Sequence, residues 1–336
     1  MGENNLLNIE NLNISLKIEK SYVNIINGVN IALKKGEVIA LVGESGCGKT
    51  VTSQAILRIL PPELEITSGR ILFNLNNNKK LIDISRIDPK GKIIRKIRGR
   101  YIGVIFQEPM SSFSPVYTIG YQIVEAILTH RKITKDEALS IAIELLRKVE
   151  IPNPEVAVKQ YPHEFSGGMR QRAMIARAIV NNPLLLIADE PTTALDVTIQ
   201  AQIIKLLKDL QEEYGMSVIF ITHNLGVVAQ IADRVVIMYM GRVVEEGTTK
   251  EIFYNSKHPY TVSLIQAIPK LGNLSERRKL QPIYGDVPNI FNRPMGCEFH
   301  TRCKHFIAGK CDVNFPKVRK INDNHKVWCY LYDQYS

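Results

Sequence analysis

One segment, Gly43-Glu44-Ser45-Gly46-Cys47-Gly48-Lys49-Thr50, limits what this chain can fold into more than any other. Its glycines and its Lys-Thr pair fit the spacing G-x-x-x-x-G-K-[S/T]. It lies between an unbroken apolar run, Val38-Ile39-Ala40-Leu41-Val42, and a stretch of helical character from Thr50 to Leu60 that Pro61-Pro62 stops. Strand, tight loop and helix in that order turn backbone N–H groups and a helix N-terminus toward one point, which is an anion-binding arrangement. In such a loop Lys49 meets β- and γ-phosphates and Thr50 holds Mg²⁺. The chain is expected to bind a nucleoside triphosphate.

The rest of the chain reads as an α/β protein of about two domains, on a length of 336 residues. Residues 6 to 17 and 26 to 33 alternate apolar with polar, as half-exposed antiparallel strands do; Gly69 to Phe73 and Leu81 to Ile84, around Asn76-Asn77-Asn78, read as a further hairpin. From Lys90 to about residue 165 the character is helical, with a capping box at Thr134-Lys-Asp-Glu137. The expectation is a helical insertion between two halves of a mostly parallel nucleotide-binding core. The core resumes at Ser166. Leu184 to Asp189 and Val218 to Thr222 read as buried strands, Asp196 caps a helix that Gly215 ends, and Arg234 to Val244 reads as a hairpin turning at Met240-Gly241. The first 250 residues thus form one domain, and residues 251–336 a C-terminal extension that begins with a helix at His258-Pro259-Tyr260.

Charge and cysteines bound the partners. With 43 Lys and Arg against 33 Asp and Glu, the net charge is +10, which favours anionic partners without choosing among them. The densest basic stretch, Lys90 to Arg100, is broken by isoleucines and reads as a packed amphipathic segment, not a nucleic-acid tail; no nucleic-acid partner is expected. The N-terminus lacks a basic and then apolar leader, and no apolar run approaches the ~20 residues a bilayer span needs. A cytosolic location is expected, with membrane contact through a partner. Four of the five cysteines, Cys297, Cys303, Cys311 and Cys329, fall in the last 40 residues. In a reducing compartment that cluster argues for a metal site over disulfides, and so loop-rich a tail needs a staple.

Two further segments carry chemistry. Asp189, at the end of an apolar strand, is placed to hold Mg²⁺ through its water shell, and the adjacent Glu190 to orient or deprotonate an attacking water. Ser166-Gly167-Gly168 opens a helix as a second anion-binding terminus. One nucleotide does not need two such grips, so this one is expected to serve a nucleotide bound to another subunit.

In this order the segments resemble the nucleotide-binding subunit of an ATP-binding cassette (ABC) transporter. Gly43 to Thr50 is similar to its Walker A loop, Ser166 to Gln171 to its signature motif, and Leu184 to Glu190 to its Walker B strand. Ala194-Leu195-Asp196 is similar to its D-loop, Gln107 to its Q-loop glutamine and His223 to its switch histidine. The resemblance implies a head-to-tail dimer binding ATP between Gly43, Ser45, Gly46, Cys47, Gly48, Lys49, Thr50 and Val51 of one subunit and Ser166, Gly167, Gly168, Gln171 and Asp196 of the other. It also implies Mg²⁺ ordered by Thr50, Gln107 and Asp189, with Glu190, His223, Gln107 and Lys49 serving hydrolysis. Tyr22 is the candidate for the aromatic that this family sets against adenine, and plain packing on the sheet is its other reading. The signature here has Met169-Arg170 before the glutamine, where the commonest form has glutamine directly.

Ile105 to Pro115, Tyr161 to Arg172, His258 to Thr261 and the tail with its four cysteines resemble the dipeptide/oligopeptide permease ATPases within that family. That group implies a sister ATPase, two transmembrane permease subunits, an extracytoplasmic peptide-binding protein, a place at the cytoplasmic face of the cell membrane, and a [4Fe–4S] cluster on the cysteines. Four thiolates suit Fe–S or Zn²⁺ alike, although the spacings lack the C-x₂-C knuckles usual for structural zinc. Nickel and other solute importers share the subunit architecture. A non-transport ATPase acting on nucleic acid or ribosomes would suit the basic charge, but the long coiled-coil insertion or second cassette usual there is absent.

Overall fold

The structure is a computed structural model that describes residues 4–19, 21–75, 81–107, 112–193, 195–268 and 283–334. The Asn76-Asn77-Asn78 turn, Glu108 to Ser111 of the Q-loop stretch, and Ala194 lie outside the described residues.

Two sheets organise the chain. An antiparallel sheet in the order β2-β1-β4-β5 takes β1 (Asn5–Ile18), β2 (Ser21–Lys34), β4 (Leu64–Asn74) and β5 (Leu81–Asp83). The larger sheet runs β11-β12-β10-β9-β3-β8-β7-β6. Its centre is parallel: β3 (Val38–Val42) lies between β8 (Ser217–Ile221) and β9 (Arg234–Tyr239), then follow β7 (Leu185–Asp189) and β6 (Ile102–Ile105). All five residues of β3, β7 and β8 are buried, as strands covered on both faces must be. Period two then sorts their side chains. Leu186, Ala188, Val218 and Phe220 face a core shared with the helices, while Leu185, Ile187, Ile219 and Ile221 face one shared with the antiparallel sheet and α1 (Lys49–Leu57).

The helical layer comprises α3 (Ile119–Leu128), α4 (Lys135–Lys148), the short α5 (Pro154–Ala157), α6 (Gly167–Ile179) and α7 (Val197–Tyr214). The Thr134–Glu137 capping box, the Asp196 cap and the left-handed Gly215 stop are all present. The amphipathic reading of Lys90 to Arg100 also holds. There α2 (Lys92–Ile97) buries Ile94 and Ile97, and Arg98 donates to the Leu57 and Arg58 carbonyls that end α1.

Three local expectations need correction. The helix after the phosphate loop ends at Leu57, where Arg58 turns left-handed, and not at Leu60. The helical reading of 90 to 165 is interrupted by a strand: after α2 the chain forms β6, the edge of the main sheet, and the longer helices follow only beyond it. Two short helices, α8 (Leu225–Ile231) and α9 (Thr249–Asn255), follow strands where none was expected. Each is too brief to show helical periodicity and starts from a polar cap, Asn224 or Thr248.

Beyond α9 and α10 (Pro259–Gln266) the tail returns to the main sheet. Here β12 (His325–Val327) pairs antiparallel with β10 (Arg242–Thr248), and β11 (Arg319–Asn322) pairs with β12. A buried acid anchors this return. Glu245, fully buried, accepts from His325 Nε2 at 2.7 Å and from the backbone N–H groups of Lys257 and His258 at 2.6 and 2.9 Å. A carboxylate so enclosed needs that many donors to offset its lost hydration.

Candidate functional site: a nucleotide site at the carboxyl edge of the sheet

Parallel strands place their carboxyl ends along one edge, and in such sheets ligands bind there. At this edge β3 runs into the Gly43 loop, β6 into Phe106-Gln107, β7 into Asp189-Glu190 and β8 into Thr222-His223. Four segments separated by up to 180 residues in sequence thus meet because four neighbouring strands point the same way.

The loop itself is tightly held. Gly48, at φ 99°, is the residue before α1, and no side chain caps that helix, so its first-turn N–H groups stay available to an anion. Gly241, in the turn between β9 and β10, packs against β2 so closely that a Cβ there would lie 1.8 Å from the Ile25 carbonyl oxygen. Its N–H donates to the Cys47 carbonyl at 2.9 Å, which ties the phosphate loop to that turn. Lys49 is 6% exposed, and its ammonium donates to the carbonyls of Gly43 at 2.7 Å and Glu44 at 3.0 Å. A cation this enclosed is held by its own loop, at the mouth where phosphates would meet it. Burial pushes the Cys47 thiol up against the opposing pull of Lys49, so Cys47 fills space as a neutral side chain.

The two carboxylates differ in kind. Asp189 is buried, and its Oδ1 has no hydrogen-bond partner. Desolvation raises its pKa, with the Glu190 charge adding to the rise, while the Thr50 hydroxyl and the Lys49 charge oppose it. A buried, unsatisfied carboxylate oxygen beside a hydroxyl and an ammonium is a group that a hard cation would satisfy, and this oxygen-donor set fits Mg²⁺. Glu190 is held from several directions. Its side chain accepts from Thr193 Oγ1 at 2.8 Å and Gln107 Nε2 at 3.3 Å, and pairs with His223 Nδ1 at 3.1 Å. Its backbone, at φ 46°, donates to the Ile221 carbonyl at 2.8 Å. A left-handed glutamate costs energy that only fixed surroundings sustain. Burial pulls its pKa up, but the bonds from His223 and Thr193 outweigh this and hold it below the usual glutamate range. It is therefore ionised near neutrality, aimed at the loop, with His223 64% exposed beside it.

The Ser166 segment does not join this cluster. Ser166 caps α6 by accepting from Met169 N–H, and both Ser166 and Gly167 are exposed to solvent. Gln171 is buried in α6, and its Nε2 has no partner. Asp196 caps α7 through Ile199 N–H. Tyr22 lies on β2 and is 54% exposed.

Comparison with known proteins meets this geometry. The family model described as ABC transporter matches residues 26–193, and the one described as oligopeptide/dipeptide transporter, C-terminal region, matches 244–311. The chain is 48% identical to the dipeptide transport ATP-binding protein DppD of Bacillus subtilis, covering 98% of this chain and 95% of that one. It is 49% identical to the oligopeptide transport ATP-binding protein OppD of the same organism, covering 97% and 88%. The chain belongs to the ABC transporter family. Among solved structures, the ATP-binding cassette MJ0796, a dimer in a post-hydrolysis state bound to ADP and Pi, matches with TM-score 0.62 at 28% identity, over 72% of this chain and 98% of that one. The cbiO1 protein of Clostridium perfringens, part of the ABC transporter complex cbiONQ, matches with TM-score 0.62 at 31% identity, over 78% and 95%.

Within this ABC ATPase fold the structure brings together Lys49, Thr50, Gln107, Asp189, Glu190 and His223, and leaves the signature residues apart from them. Thr193, whose hydroxyl donates to Glu190, was not singled out by sequence; its signal was its place three residues on, across a Pro-Thr-Thr turn. The cysteines are a more qualified case. None of the five is in a disulfide. Cys297, Cys303, Cys311 and Cys329 line one small cavity, and burial pushes the Cys297 and Cys329 thiols up to about 12. Yet no three Cys, His, Asp or Glu side chains among the described residues are grouped as a ligand set. The four thiols are donors of the kind that suit a metal. Nor is any described helix long and apolar enough to cross a membrane.

Proposed function

We propose that this chain is the ATP-hydrolysing subunit of an importer that carries di- or oligopeptides across the cell membrane. The observation that carries the reading is the meeting of Lys49, Asp189, Glu190 and His223 at one sheet edge. Support for the cargo comes from the oligopeptide/dipeptide C-terminal match and from relatives named for dipeptide and oligopeptide transport.

In this reading Lys49 and the α1 N-terminus bind the phosphates, Glu190 takes the proton of the attacking water, and His223 contacts the γ-phosphate while steadying Glu190. Thr50, Gln107 and Asp189 would hold Mg²⁺, which neutralises charge on the phosphates when bound. The signature helix at Ser166, exposed and separate, completes a site on a second ATPase subunit, with Asp196 beside it and Tyr22 against the base. Closure and reopening of that dimer would pass to two permease subunits at the cytoplasmic face of the membrane, and an extracytoplasmic binding protein would deliver the peptide. The coupling surface is the groove beside Gln107, about 350 Å³, lined by Phe106, Gln122, Arg98 and His130 among others. The first 250 residues act as the ATPase domain and 251–336 as its extension. Cys297, Cys303, Cys311 and Cys329 hold a [4Fe–4S] cluster there, with Zn²⁺ the alternative, as a structural staple.

The test is co-expression with the permease and binding-protein partners and reconstitution in vesicles. ATP hydrolysis should rise when di- or oligopeptide is present. Stimulation by nickel alone, or salt-sensitive RNA binding with no membrane partner, would overturn the peptide reading.

A further inference from the structure

The phosphate loop is gripped from outside the ATPase core. Arg302 lies in the tail, at the end of the single turn His300–Arg302 and directly before Cys303. Its guanidinium makes a two-pronged pair with Glu44, Nη1 to Oε2 at 2.7 Å and Nη2 to Oε1 at 3.1 Å. Glu44 is the second residue of the phosphate loop. Tyr260, at the start of α10, accepts from the Glu44 backbone N–H at 2.8 Å, and the Glu44 carbonyl is one of the two that hold Lys49. Every hydrogen-bonding group of this one loop residue is therefore occupied, two of them by residues more than 200 positions downstream.

The guanidinium is itself fixed. Its side chain is 4% exposed, Nε donates to the Tyr284 carbonyl at 3.1 Å, Nη1 lies 3.3 Å from the Tyr239 hydroxyl, and the rings of Tyr239 and Phe299 pack around it. A fork-to-carboxylate pair is directional as well as strong, and with Glu44 half-buried and Arg302 buried, removal of the Glu44 charge leaves the enclosed guanidinium uncompensated. The same tail segment has a second ion pair, Glu298 with Arg242 and Arg293 at 2.7 and 3.1 Å. That pair joins the tail to the hairpin, and among the described residues it shares no hydrogen bond or ion pair with Glu44 or Lys49. One pair staples the tail to the scaffold; the other reaches the loop that meets phosphate.

We propose that Arg302 is a positioning residue for ATP binding, holding Glu44 so that the Gly43 and Glu44 carbonyls and Lys49 keep the shape that receives the phosphates. The inference rests on Gly43 to Thr50 being the ATP-binding loop. A strut from the cysteine-rich tail then sets nucleotide affinity, and the tail is part of the ATP site's frame.

The test measures Mg-ATP dissociation constants and thermal midpoints of the full chain. Arg302→Met should weaken ATP binding tenfold or more, and Arg302→Lys, which keeps the charge but not the fork, by an intermediate factor. Glu44→Gln should match Arg302→Met, and the double variant should be no worse than either single. Glu298→Gln should lower the midpoint yet keep the dissociation constant within twofold. Should Arg302→Met fail to fold, Arg302→Lys decides. Wild-type affinity in the Arg302 variants, or additive losses for Arg302 and Glu44, overturns the strut. Lys49→Ala separates the two readings. Lost binding there beside normal Arg302 variants rejects Arg302 alone, whereas normal binding in Lys49→Ala rejects the loop as the ATP site and the strut with it.

Discussion

Replacing Glu190 by Gln removes one charge and almost no volume, and the structure says how the two consequences divide. The backbone N–H of residue 190 is anchored to the Ile221 carbonyl whatever the side chain, and the amide still reaches Thr193, Gln107 and His223. Position is kept and basicity is lost. A positioned general base contributes about 10²- to 10⁴-fold, so kcat should fall by that factor, about 3 to 5 kcal/mol on the barrier. Binding should not fall with it. The Glu190 charge pushes the Asp189 pKa up, so neutralising residue 190 eases ionisation of the carboxylate assigned to Mg²⁺, and Mg-ATP affinity should be equal or higher. Single-turnover hydrolysis of labelled ATP gives the chemical step, and equilibrium binding with size-exclusion chromatography gives affinity and the trapped dimer. Hydrolysis within tenfold of wild type would reject Glu190 as the base. Loss of ATP binding in the variant would show that its charge shapes the site, contrary to the reasoning here.

Three further outcomes are expected. Asp189 has a raised pKa when folded, so between the unfolded and folded values the native state holds the extra proton and stability falls as pH rises; at neutral pH the ionised group is a net cost. Asp189→Asn should therefore raise the thermal midpoint of the nucleotide-free protein, on the order of 2 °C, flatten its pH dependence and abolish the upward shift caused by Mg-ATP; a lower midpoint would refute the assignment. Because Ser166 and Gly167 stand exposed and away from Lys49, hydrolysis per molecule should fall on dilution below the dimer dissociation constant, and a rate strictly proportional to concentration down to nanomolar protein would refute the shared site. Protein purified without oxygen should be brown and hold iron and sulfide near four per chain, with both lost in Cys303→Ser; a colourless protein with one zinc would replace the cluster by the alternative metal.

Legibility in the sequence followed the range of the interactions. Strands β3, β7 and β8 could be read because both their faces are buried, so their apolar runs are unbroken, and the residues just past them had to sit at the carboxyl edge. Caps at Thr134, Ser166 and Asp196 were legible because a cap is a contact three residues long. The grip on Glu44 was not, since Tyr260 and Arg302 stand 216 and 258 residues away and no local pattern marks a buried ion pair. The lost strand, β6, is the instructive case. Four residues, one of them Gly103, follow a basic segment, and neither length nor alternation marks them. Yet Gln107 was assigned to the same magnesium as Asp189, which ends β7. Two side chains that must meet at a carboxyl edge are most simply delivered by neighbouring parallel strands, so the residues before Gln107 had to be extended and paired with β7. Ile102 to Ile105 pair with Leu185 to Ala188 in that register. The chemical requirement at residue 107 contained a strand that the hydrophobic pattern alone did not reveal.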